Sequence, residues 1–168
     1  VQAAQGSGWF WFDCLYNVKS RYTSTAWRSY DVWNCYYTWI SNANYILAAE
    51  STMEGEKADV NYVIGQAYAI RAYSYFMLAQ TFARTYKGHE SEPCCPIYTE
   101  PTVAGTQGNP RSTVQEVYDQ LNSDIDKAIE LLNGTERKHI SHINYATALG
   151  LKARIALVME DWNTAKVA

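Results

Sequence analysis

GQAYAIRAYSYFMLAQTFARTY, residues 65–86, is the stretch whose reading decides the fold. Apolar or small side chains at Ile64, Ala67, Tyr68, Ala72, Tyr75, Phe76, Ala79 and Phe82 recur at three- and four-residue steps. That spacing gathers side chains on one helical face. It predicts a helix from Ala58 to about Thr85 that must pack against something, ended at Lys87-Gly88 where glycine can supply a left-handed closing residue. Arg71 lies among aromatic and small residues, where an unpaired guanidinium would be costly. A structural ion pair or a carbonyl contact is therefore expected of it, with Asp124 a candidate partner that spacing alone does not establish.

On the N-terminal side, a helix is predicted from Ser29 to about Ala49, with Trp33, Tyr36, Tyr37, Ile40, Ala43, Asn44 and Leu47 facing inward. Trp33, Tyr37 and Trp39 read as core because helical spacing already explains them. Before it, residues 1–27 read as loop with a short helix at Phe10 to Val18. On the C-terminal side, residues 89–110 hold all four prolines and read as a long loop, a kind often functional. Thr113 with Glu116 three residues on is a capping-box pattern, and the helix it opens stops at Asn133-Gly134. A further helix is predicted from Ile143 to Met159, rich in alanine, and Trp162 to Ala168 begins another. Long helices in antiparallel pairs suggest an all-α fold of tetratricopeptide-like hairpins, here a partial domain, though no clean repeat of about 34 residues is present.

A chain of 168 residues can bury about two-thirds of its unfolded surface, so residues 1–168 read as one domain or part of one. The net charge is −3 and the 14 Lys and Arg are scattered, which gives nucleic-acid binding little electrostatic support. No run of about 18 apolar residues occurs, so no transmembrane helix is expected within this stretch. Cys14, Cys35, Cys94 and Cys95 show no metal-site spacing and read as isolated or buried thiols, with bridges in an exporting cell as the open alternative. His139 and His142 form only a weak H-x-x-H pattern, and no nucleophile elbow, Walker loop or dinucleotide glycine pattern is present. No cofactor is expected.

The segments together resemble the SusD/RagB family. Gly65, Ala67, Arg71, Ala72, Tyr75, Phe76 and Leu78 match its G-x-A-x-x-L-R-A-x-x-Y-F-x-L helix, with Ile70 where leucine is usual. Arg111 to Tyr118, followed by Asp124, Ala128, Leu131 and Leu132, is similar to its R-x-T-V-x-E-V-Y…D-L-x-x-A-x-x-L-L block. Ala146, Ala148, Leu149, Lys152, Ala153, Arg154, Met159, Asp161, Trp162 and Ala165 resemble its alanine-rich helix pair, with Glu160 in place of the turn glycine. Trp33 to Tyr37, Ile40, Ala43 and Asn44 resemble its W-x-x-Y-x-x-I-x-x-A-N helix. The resemblance implies a non-catalytic, surface-exposed outer-membrane lipoprotein. Such a protein binds oligosaccharide or polysaccharide for a SusC-like TonB-dependent transporter. It also implies a chain longer than this one, with the lipid anchor, its only membrane attachment, upstream of Val1.

A sugar ring offers an apolar face and a rim of hydroxyls, so a glycan site needs flat aromatic platforms beside hydrogen-bonding side chains. Of 6 tryptophans, all but Trp162 lie between Trp9 and Trp39. Trp9, Trp11, Tyr22 and Trp27, with Arg28 and Asp31, are the candidate glycan-binding residues. The alternative, that these rings fill grooves between helices, stays open. So do two other functions: a helical glycoside hydrolase fragment, since 17 Asp and Glu leave room for an acidic pair, and a protein-binding helical scaffold.

Overall fold

The structure, a computed structural model, describes residues 27–168, with side chains from Tyr30 onward. The order is α1 (Trp27–Ala48), a single 3-10 turn (Glu50–Thr52), α2 (Lys57–Phe82), α3 (Val114–Leu132), α4 (Tyr145–Met159) and α5 (Trp162–Val167). Among the described residues there is no strand, only an isolated antiparallel bridge between Pro93 and Thr113. The chain divides into two compact units, residues 1–35 and 36–168. In the first, the described part is the opening of α1.

The principal core lies between α2 and α3. Ile64, Ala72, Tyr75, Phe76 and Ala79 of α2 are buried, as are Val117, Tyr118, Leu121, Ile125 and Leu132 of α3. The helices approach closely where α2 has no side chain. A Cβ at Gly65 would lie 2.8 Å from Leu132 Cγ and 3.2 Å from Leu131 Cβ. The α3 start is the expected capping box: Glu116 N donates to Thr113 Oγ1 (3.2 Å) and Thr113 N to the Glu116 carboxylate (2.7 Å). The next two helices open on similar side-chain caps, Asn144 accepting from Thr147 N and Asp161 from Thr164 N.

Three expectations are corrected. α2 ends at Phe82 with an extended residue, Ala83, and Gly88 takes its positive φ (83°) in a later turn instead of closing the helix. The helix expected from Ile143 starts at Tyr145, because Asn144 is its cap. Trp27, expected in a loop, opens α1.

The long segment after α2 is a strap that ties α1 to the core. Tyr37 Oη donates to the Pro96 carbonyl (2.7 Å) and Asn44 Nδ2 to those of Tyr98 and Glu100 (3.0 and 3.1 Å). Tyr45 Oη donates to that of Thr102 (2.6 Å). From the other side, Tyr75 Oη bonds both the carbonyl and the N–H of Tyr98 (2.9 and 2.7 Å). An extended segment without a sheet partner must find other partners for its backbone, and here the hydroxyls and amides of two helices supply them. Burial pushes the Tyr37 and Tyr75 phenols up, which keeps both as hydroxyl donors.

Candidate binding groove between α1 and α2

Where α1, α2 and the strap meet, Arg71 closes a buried polar knot. Its Nε and Nη2 donate to the two Asp124 carboxylate oxygens (2.8 and 2.7 Å), and Nη1 donates to Asn44 Oδ1 (2.8 Å) and the Thr99 carbonyl (3.3 Å). Gln120 adds a donor to Asp124 (3.0 Å) and the Tyr68 ring lies 5.4 Å from the guanidinium. Burial works against both charges. For Arg71 the Asp124 partner outweighs burial and its pKa is raised; for Asp124 burial dominates and lifts the carboxyl, while the two Arg71 bonds pull it back. With all three guanidinium nitrogens bonded to protein acceptors, Arg71 is a structural residue, as its surroundings in the sequence imply.

Beside the knot the helices leave an open groove of about 620 Å³. Its walls are two stripes at helical spacing, Trp39, Asn42, Ala43 and Ile46 on α1 and Val63, Gln66, Ala67, Ile70 and Tyr73 on α2. The loop residues Ser141, His142 and Ile143 close one end. Trp39 is 41% exposed, which corrects its expected place in the core. The inward face of α1 is Ile40, Ala43 and Asn44, and Trp39 stands about 100° around the helix from Ile40, on the stripe shared with Ile46. The indole is not loose: Tyr36 meets it edge-on (centroids 5.4 Å, 86°) and also packs edge-on against Tyr73 (6.2 Å, 71°). Trp33 and Tyr37 are half-buried.

The polar groups of the groove are held from behind by Tyr62, which is buried. Gln66 Nε2 donates to the Tyr62 carbonyl (3.1 Å), Lys138 N donates to Tyr62 Oη (3.2 Å), and the hydroxyl meets His142 Nδ1 at 2.9 Å. Arg137 Nε donates to the His142 carbonyl (3.0 Å) and its Nη2 to that of Ile140. His139 and His142 thus serve the loop's architecture, and among the described residues no group of three or more His, Cys, Asp and Glu could hold a metal ion.

Of the sequence-predicted candidates, Trp9, Trp11 and Tyr22 lie outside the described residues. Trp27 and Arg28 occupy the first turn of α1, their side chains outside the description, and Asp31 is exposed on the next turn. The groove went unpredicted, although the stripe Val63, Gln66, Ala67, Ile70 is as regular as the core-facing one.

Residues 5–157 match the SusD-like family described as "starch-binding associating with outer membrane". A curated relative, the SusD-like protein P38 of Formosa agariphila, is 28% identical over 90% of this chain and 27% of its own length. The crystal structure of a SusD-like carbohydrate-binding protein from Bacteroides vulgatus is 33% identical, with a TM-score of 0.76 over 81% of this chain and 29% of that one. A SusD superfamily protein from Bacteroides thetaiotaomicron is 28% identical, with a TM-score of 0.71 over 79% of this chain and 29% of that one. The chain thus spans less than a third of the length of these relatives, and no described helix is long and apolar enough to cross a membrane. With a match over residues 5–157 and the same helical arrangement in both crystal structures, this chain belongs to the SusD-like family.

Proposed function

We propose that the protein of which this chain is part binds oligosaccharide at the bacterial surface without breaking it and passes it to a SusC-like TonB-dependent transporter. The observation that carries the reading is family membership, with a carbohydrate-binding relative at 33% identity. The exposed indole of Trp39, set over a groove with amide and imidazole side chains, fits the same chemistry. Capture works by stacking a sugar face on a flat ring while hydroxyls pair with fixed polar groups; release is easy because desolvating hydroxyls offsets much of each new hydrogen bond. Trp9, Trp11, Tyr22, Trp27, Arg28 and Asp31 remain the N-terminal candidates for part of this surface. The anchor is lipid and the location the outer membrane.

Isothermal titration of the full-length protein with maltoheptaose, cellohexaose and other oligosaccharides tests the reading. Binding heat without release of reducing sugar is the expected result, together with co-purification of a transporter from the outer membrane. A full-length protein that ignores every oligosaccharide, or that shortens one, overturns it.

A further inference from the structure

We infer that the groove between α1 and α2 is itself a carbohydrate subsite selective for uncharged sugars, with Trp39 as platform and His142 as a hydrogen-bond donor through Nε2. The inference rests on the glycan-binding reading and goes beyond it by assigning a place, two contact residues and a ligand class.

The direction of the His142 bond follows from its neighbours. Tyr62 Oη already accepts from Lys138 N (3.2 Å), so its own proton is free to be donated, and His142 Nδ1 at 2.9 Å is the acceptor in reach. An imidazole that accepts at Nδ1 carries its hydrogen on Nε2. That N–H has no partner among the described residues, and the ring lines the groove. Gln66 presents the complementary sense: its amide nitrogen is held by the Tyr62 carbonyl, which leaves Oε1 to accept. Asn42 and Ser141 lie on the same rim. A sugar hydroxyl both donates and accepts, and this lining offers both roles beside the apolar Ala43, Ile46, Ala67 and Ile70.

The ligand class follows from charge. Among the described residues that line the groove there is no Lys, Arg, Asp or Glu. The nearby cations are engaged elsewhere: Lys138 Nζ pairs with Asp59 (2.5 Å), and Arg137 binds the His142 and Ile140 carbonyls. A uronate or sulfate entering this groove would lose water without meeting a counter-charge in the described lining, whereas a neutral hexose loses only hydroxyl hydration.

The test uses the full-length protein with maltoheptaose and cellohexaose as neutral probes and tri-galacturonate as the anionic one. Hydroxyl-radical footprinting should oxidise Trp39 in the free protein and protect it at saturating neutral probe. By titration, Trp39→Ala should weaken the better neutral probe about tenfold and Trp39→Phe much less. His142→Ala should weaken it about fivefold, with His142→Gln, whose amide places an N–H near the Nε2 position, restoring most of the loss. Circular dichroism melts confirm that each variant folds. Neutral binding with Trp39→Ala and His142→Ala indistinguishable from the parent overturns the groove and leaves the wider glycan reading standing. So does a Trp39 that stays unoxidised in the free protein. Tri-galacturonate bound as tightly, with Trp39 protected, overturns the neutral selectivity, and a full-length protein that binds no probe overturns both readings.

Discussion

Arg71 is 5% exposed, and removing the Asp124 carboxylate leaves its guanidinium with nothing to balance its charge. Asp124→Ala is therefore expected to cost about 3–5 kcal/mol of unfolding free energy, read from chemical denaturation. The cysteines allow a second test at this scale. Cys94 and Cys95 are buried with sulfurs 3.8 Å apart, and the hydrogen bond between them together with burial pushes the Cys95 thiol up; Cys35 is exposed. Iodoacetamide at neutral pH should modify Cys35 in the native protein and reach Cys94 and Cys95 only after denaturation, as peptide mass spectrometry would show. The sequence made Arg71 legible as a buried charge needing a partner, because its neighbours are small or aromatic. It could not single out Asp124, since 53 residues separate them and only the α2–α3 register brings them together. Trp39 was misjudged for a related reason: periodicity says which residues share a face, but not which of two apolar faces has a partner.

Helix ends were readable where a side chain caps them and less so where the backbone closes itself. Thr113 and Glu116 announce α3 by identity and spacing, and both bonds of the box are present. The end of α4 is different: Glu160 adopts a left-handed conformation (φ 60°, ψ 23°), accepting the crowding of a Cβ that glycine would avoid. Glu160→Gly should therefore raise stability by about 1 kcal/mol, seen as a higher Tm in thermal denaturation. The strap could be read as a loop from its prolines, but its structural duty could not. The hydroxyls and amides that hold it belong to residues 37, 44, 45 and 75, each at least 23 positions away. Nothing local in the strap's own composition encodes them.

Across the whole molecule, family and helical architecture were legible because they reside in long periodic segments and ordered motifs, which survive divergence to about a third identity. The binding surface was less so. Recognition of a sugar depends on which rings remain accessible after packing, and accessibility is a property of neighbours rather than of a stretch of sequence. The side chains of the predicted N-terminal rings stand outside the described residues, while Trp39, one of several rings that the structure leaves exposed, reads as interior from its spacing.

The strap also divides the protein by cohesion. α2 and α3 interlock through full side chains and a glycine contact, whereas α1 adds to its short apolar face, Ile40 and Ala43, a set of phenol and amide hooks on a single run of backbone. Hooks of that kind let go in water at little cost, because solvent replaces each of them. Deuterium uptake followed over hours should accordingly find the α1 amides after Tyr36 labelled through partial openings, while those at the centres of α2 and α3 wait for the entire unit to come apart. Equal protection in the three helices would mean that α1 shares the same cooperative fate. If α1 does open alone, one wall of the groove can swing while its opposite wall stays put, and a bound saccharide would act as the clasp.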